Sequence, residues 1–183
     1  MAERGISDRD AFSLFAEEVS FAWKGTSKMN EIHDLFIDSF LSNYKELGLT
    51  AKDLETDNIE QVLEDYWAEE FASLQDNNVT WIVAKLQDEI IGYASFDRKE
   101  APEDVVLQLL CVSPGFQGRG IGSTLVYSIA EAERDTQKLS LVTRRANTSA
   151  IAFYKHLGFI ESDSINKKAN IDTKLCIQLE KIF

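Results

Sequence analysis

Val112-Ser113-Pro114-Gly115-Phe116-Gln117-Gly118-Arg119-Gly120-Ile121-Gly122 carries the strongest structural instruction in this chain. An apolar run, Val105 to Val112, precedes the glycines and reads as a buried strand. After them Leu125, Val126, Ile129 and Ala132 fall at helical spacing between Ser123 and Glu133. Strand, glycine-rich turn, helix is the local grammar. The first N–H groups of a helix lack intrahelical acceptors, and the macrodipole leaves partial positive charge there. Glycines at 118, 120 and 122 clear side chains from that end, so main-chain N–H groups can reach a phosphate directly.

Two common phosphate-binding turns do not fit. A P-loop requires Lys-Ser or Lys-Thr after Gly120, where Ile121-Gly122 stands. A Rossmann turn requires a glycine three residues after Gly122, where the chain has Leu125. What remains, Gln-x-x-Gly-x-Gly, resembles the acyl-CoA-binding turn of the GNAT-type N-acyltransferases. A second segment, Asn147-Thr148-Ser149-Ala150-Ile151-Ala152-Phe153-Tyr154-Lys155-His156-Leu157-Gly158-Phe159, is similar to that family's Asn-x-x-Ala-x-x-Phe-Tyr-x-x-x-Gly-Phe. One strand, Leu139 to Thr143, intervenes, as in the family. The motifs span residues 105 to 163, and the element order extends the likeness more weakly to both ends.

The resemblance implies a set of roles. Main-chain amides of Gln117, Gly118, Arg119, Gly120, Ile121 and Gly122, with Ser123 beside them, hold the pyrophosphate of acetyl-CoA, the co-substrate. The pantetheine arm bonds the main chain near Leu110 and Val112 as an added strand. Asn147 is a helix N-cap by position, and by resemblance also a contact to that arm. Tyr154 is the expected general acid toward the departing thiolate; read from the residues alone, it is a core aromatic beside Phe153 and Leu157.

A primary amine acceptor, with a pKa near ~10.4, must lose a proton. Many relatives place a glutamate on the central strand, whereas this chain has Gln108 there. Among the nearby carboxylates Asp97, Glu100, Glu103 and Asp104, the nominated bases are Glu100 and Glu103; the plainer account of each is a solvated loop charge. The expected acceptor is a small-molecule amine. Glu60, Glu64, Asp65 and Glu69 form an acidic helix face that either steers a cationic acceptor or simply solubilises the helix. Tyr44, Tyr66 and Trp67 either line a pocket or pack in the core.

Composition bounds the rest. The 183 residues suit one domain, 1–183, with 1–16 as an added N-terminal helix. A net charge of −12 argues against a nucleic-acid partner. It also requires local positive charge where a polyanion binds, and Arg119, Arg144, Arg145 and Lys155 fall in or beside the motifs. No apolar run approaches membrane-span length, and the first residues lack a signal-peptide core, so a cytoplasmic protein is expected. Cys111 and Cys176 read as buried thiols, and His33 and His156 offer no metal-ligand spacing, so no metal is expected. The chain is expected to be a monomer or a homodimer.

The remaining pattern predicts strands at 19–23, 80–86, 89–96, 104–112, 139–143, 159–163 and 171–179, and two helices between the first two strands. The order β-α-α-β-β-β-α-β-α-β-β matches the GNAT arrangement: an α/β (α+β) fold with a mixed, mostly antiparallel sheet of about seven strands and helices on both sides. The strand-helix-strand unit from 105 to 143 should supply the parallel pair. An N-acetyltransferase acting on a small amine is the leading expectation. The alternatives are a peptide or protein N-acetyltransferase, a non-catalytic acyl-CoA sensor on the same fold, and a protein whose glycine turn merely packs a helix.

Overall fold

The computed structural model describes residues 17–18, 26–54, 56–74, 76, 78–98, 103–162 and 175–183. Two nearly continuous buried runs on either side of Gln87-Asp88 form a hairpin of β2 (Val79–Leu86) and β3 (Glu89–Asp97), with Gln87 in the left-handed region at φ 57°. Ahead of it lie β1 (Glu17–Glu18), α1 (Ser27–Glu46) and α2 (Ile59–Ser73). Gly48, at φ 65°, lets the chain leave α1. Then come β4 (Asp104–Val112), a 3-10 turn at Pro114–Phe116, α3 (Ile121–Ala132), β5 (Lys138–Arg144), α4 (Thr148–His156), β6 (Ile160–Glu161) and β7 (Cys176–Ile182).

The seven strands form one sheet in the order β1-β2-β3-β4-β5-β7-β6, antiparallel except between β4 and β5. The expected α/β class, element order and parallel pair are all present. Boundaries shift at the C-terminal end: β6 is only two residues, and β7 lies at 176–182 instead of 171–179. The expected strand at 19–23 and N-terminal helix within 1–16 fall outside the described residues.

Two features of β4 set up the site. It pairs with β5 only at Asp104↔Lys138, Val105↔Leu139 and Val106↔Ser140, then keeps pairing with β3 as far as Gly92↔Val112 while β5 follows β7. The two central strands therefore part, and from Leu107 to Val112 one edge of β4 has no strand partner among the described residues. Second, Ser95 faces Leu109 while Phe96 faces Leu107, which leaves Gln108 as a β-bulge. The bulge reverses the alternation. Val105 and Leu107 pack into the core beneath α3 and α4, whereas Leu109 and Cys111 pack on the opposite side beneath α1 and α2. Burial of these two apolar layers is the main stabilising term.

Candidate functional site

Three helix N-termini show how the chain spends its capping residues. Asn58 caps α2 by accepting from the Gln61 N–H at 3.3 Å, and Asn147 caps α4 by accepting from the Ala150 N–H at 3.2 Å. The third, α3, starts at Gly120 with φ 85°, with no side-chain cap and no acidic residue in its first turn. Its leading amides thus face a cavity with nothing but glycine before them. Gly118, at φ 73°, and Gly120 need the left-handed region, and a Cβ on either would meet open space. Gly122 is small for another reason: a Cβ there would lie 3.2 Å from the Phe153 ring of α4.

That cavity has a volume of about 500 Å³. The turn from Phe116 to Ser123, Leu110 and Val112 of β4, and Asn147, Phe153 and Tyr154 line it. These include every nominated cofactor residue except Arg119, which is exposed with its guanidinium over the Phe116 ring, 5.4 Å from its centroid. The Val112 carbonyl oxygen accepts from Gln117 Nε2 at 3.1 Å and from Ser39 Oγ at 3.4 Å, fastening the turn to the strand end and to α1. An uncapped helix start, bare glycines and an unpaired strand edge fit a phosphate joined to an extended amide-bearing arm.

A second cavity of about 230 Å³ opens between β4 and β5. Tyr44 of α1, Tyr66 of α2, the bulged Gln108, Thr143 and Arg144 line it. The two cavities share Phe40, Leu110, Asn147, Ala150 and Tyr154, so they meet where the central strands part. Tyr154 is buried at this junction, and desolvation, with the nearby Cys111 adding to it, raises its phenol pKa above the ordinary 10. The proton therefore stays on Tyr154 across neutral pH.

Of the two nominated bases, Glu103 is not in this arrangement. Glu103 is exposed at the paired end of β4, where its carbonyl accepts from the Gln137 and Lys138 amides. At about 3.3 Å per residue it lies roughly 20 Å along the strand from Leu110. Glu100 falls outside the described residues. Glu60, Glu64, Asp65 and Glu69 are exposed and line neither cavity, and Glu64 accepts from His33 at 3.1 Å. Trp67 packs among Phe36, Phe71 and Trp81 in the core. Tyr44 and Tyr66, by contrast, do line a cavity.

Sequence reasoning missed Ser39 and Asn43, which line the first cavity from α1. Their signal is a pair of polar residues four apart next to the apolar stripe of Ile32, Leu35, Phe36 and Phe40. It also missed Glu70. This residue follows Leu63 and Trp67 on the inward stripe of α2 and is 8% exposed. Burial raises its carboxyl to about 7, with the Ser95 hydroxyl beside it opposing the rise. Glu70 Oε1, Ser95 Oγ and Tyr93 OH make no hydrogen bond among the described residues.

Both cysteines are free, Cys111 buried and Cys176 half-buried. Burial pushes the Cys111 thiol up to about 12, so it is no nucleophile. Among the described residues no group of His, Cys, Asp and Glu is arranged to hold a metal, and no helix is long and apolar enough to cross a membrane.

Known proteins are similar to this chain in sequence or in fold. The chain is 35% identical over 86 residues to the spore coat polysaccharide biosynthesis protein SpsD of Bacillus subtilis, covering 45% of this chain and 29% of that protein. It is 33% identical over 90 residues to the 5-NmdU N-acetyltransferase of Pseudomonas phage PaMx11, covering 49% of this chain and 64% of that one. Each match thus spans less than two thirds of the relative's own length. The PaiA N-acetyltransferase of Thermoplasma acidophilum, solved in complex with coenzyme A, superposes with a TM-score of 0.72 at 17% identity, over 93% of this chain and 99% of that one. The sequence model of the Acetyltransferase (GNAT) family matches residues 29–159, from the first helix to the end of the Asn147–Phe159 motif. By its glycine turn, its parted central strands and that match, the chain belongs to the GNAT family of acetyl-CoA-dependent acetyltransferases.

Proposed function

We propose that this protein transfers an acetyl group from acetyl-CoA to the primary amine of a small molecule. The observation that carries the reading is the meeting of two cavities at Leu110 and Tyr154. One is made for an anion and the other is lined by aromatic rings, with a protonated phenol between them. Acetyl-CoA, when bound, supplies the acyl group as an activated thioester.

The chain's own residues do the rest. The first turn of α3, from Gln117 to Ser123, holds the pyrophosphate with main-chain N–H groups, and Arg119 adds positive charge at the rim. The open edge of β4 near Leu110 and Val112 binds the arm as a neighbouring strand would. Asn147 has its Oδ1 committed to the α4 cap, and its side-chain N–H₂ is the contact to that arm. Tyr154 donates its phenolic proton where negative charge develops on the leaving sulfur. The acceptor enters the second cavity. Since none of the described residues lining that cavity is Asp, Glu or His, the amine gives up its proton to water. Amine acetylation by a relative, as the phage enzyme's name records, supports this class of reaction.

The test is a thermal shift with acetyl-CoA, followed by thiol release with a panel of primary amines. Ligand at 100 times its dissociation constant should stabilise the fold by ~2.7 kcal/mol, and at least one amine should release free thiol. Binding without release from any amine would leave a sensing module. No shift from a folded protein would overturn the acyl-CoA reading altogether.

A further inference from the structure

Among the described residues lining the second cavity Arg144 alone is charged, in a chain whose net charge is −12. Its direction follows from the strand. Leu139 and Leu141 of β5 enter the core beneath α3 and α4, so Val142 is turned away from that core and Arg144, two residues on, toward α1 and α2.

There its side chain meets no carboxylate among the described residues. Arg98 pairs with Glu133, Lys138 with Asp104 and Arg145 with Glu161, but the Arg144 guanidinium makes no hydrogen bond or ion pair with any described residue, while its main-chain carbonyl accepts from the Asn147 N–H at 2.9 Å. A half-buried guanidinium carries five N–H donors and no acceptor, and it is costly without an anion to pair with. Two phenols stand beside it. Tyr44, Tyr66 and Arg144 line the same cavity, and at the buried Tyr44 phenol desolvation raises the pKa while the charge of Arg144 opposes the rise. The wall is thus rich in donors, flanked by the rings of Phe40, Tyr44 and Tyr66.

The cofactor does not account for it, because Arg144 lines only the second cavity and the glycine turn lines only the first. Nor does the acidic face of α2 reach the cavity.

We infer that the acceptor is an anionic amine: a molecule carrying, besides its primary amine, a carboxylate or phosphate that pairs with Arg144, with Tyr44 and Tyr66 donating beside it. This rests on the acyltransferase reading above and replaces the cationic acceptor that the α2 charges suggested. A planar guanidinium matches either oxyanion through two parallel hydrogen bonds.

The experiment compares primary amines with and without an anionic group: O-phosphoethanolamine against ethanolamine, β-alanine against propylamine, and 1,3-diaminopropane as the cationic control. Each is assayed for kcat/KM with acetyl-CoA, and for the melting shift it adds to the coenzyme A complex. The wild type should favour the anionic member of a pair by about 10- to 100-fold, the range of a hydrogen bond to a charged group. Which pair shows the larger ratio separates phosphate from carboxylate. Arg144→Gln should erase that preference, lowering kcat/KM for the anionic member of each pair far more than for the neutral one, with the shift from acetyl-CoA itself retained. Arg144→Lys should keep part of it.

Preference for the neutral or dicationic amines would overturn the inference, as would an equal loss on both members of a pair in Arg144→Gln. So would the absence of any added melting shift from the anionic amines. In each case an intact acetyl-CoA shift with thiol release from some amine leaves the acyltransferase reading standing, whereas loss of the acetyl-CoA shift in the wild type removes that reading itself.

Discussion

The two cavities that meet at Tyr154 are made of different material. The first is largely main chain: a strand end, a glycine turn and a bare helix start, contiguous from Leu110 to Ser123 and completed by α1 and α4. The second is side chain: rings from α1 and α2, leucines and a bulged glutamine from β4, and Arg144 from β5. Main-chain donors are identical at every residue, so the first cavity depends on conformation and on what is left out. The second depends on which side chains are put in. The shared cofactor therefore leaves a strong trace in sequence, and the individual acceptor a faint one.

The largest effect tests the main-chain half. Gly120→Glu puts a non-glycine residue at φ 85° and a carboxylate where an anion should sit. Acetyl-CoA should then add no melting shift, while the variant still unfolds cooperatively. A retained shift would mean that the turn amides do not hold the phosphates.

The next effect lies under the α1/α2 side. The Glu70 carboxyl is raised from 4.5 to about 7, so the folded state holds its proton when the unfolded chain has lost it. Stability should be fullest below pH 4.5, fall as the pH rises toward 7, and level off above. The full loss is about 3 kcal/mol. Glu70→Gln should remove this slope, matching the wild type at low pH and exceeding it at pH 8 in denaturant unfolding. Parallel curves for the two proteins would show that Glu70 ionises normally.

Tyr154→Phe sharpens the boundary between the cavities. It should lower kcat by about 10²-fold, the lower end for positioned proton transfer, with acetyl-CoA binding intact. An unchanged kcat would remove the acid role. The smallest effect is Asn147→Ala, which deletes the α4 cap and should cost about 1 kcal/mol. A KM for acetyl-CoA that rises as well would assign Asn147 to the cofactor side, and an unchanged KM would leave it a cap only.

Legibility follows the same division. Gly118, Gly120 and Gly122 stand next to one another in sequence and announce their purpose by having no side chain. Asn147 is legible because capping is local, and so is the Gln87-Asp88 hairpin. Arg144 was visible as a charge beside a motif, but its facing depends on β5 leaving β4, which no local pattern records. Gln108 stood out for not being a carboxylate, yet nothing nearby marks it as a bulge. Glu70 was readable in principle at its spacing from Leu63 and Trp67, but it stood next to Glu69 in an acidic run and was hidden by its neighbours. Glu103 shows the converse error, since closeness to a strand in sequence says nothing about which end of it holds the site.

The bulge at Gln108 has a mechanical meaning for the whole turn. Counted from that residue, β4 has four residues to its end, and each one added or removed rotates everything downstream by half a revolution about the strand axis. Val112, and with it the start of α3, holds its heading only while that count is kept. A single deletion between Leu109 and Val112 would aim the amides of Ile121 and Gly122 at the other side of the sheet, even with every residue of the glycine turn intact. The strand beyond the bulge is a phase setting, and point substitutions within it should be far better tolerated than any change in its length.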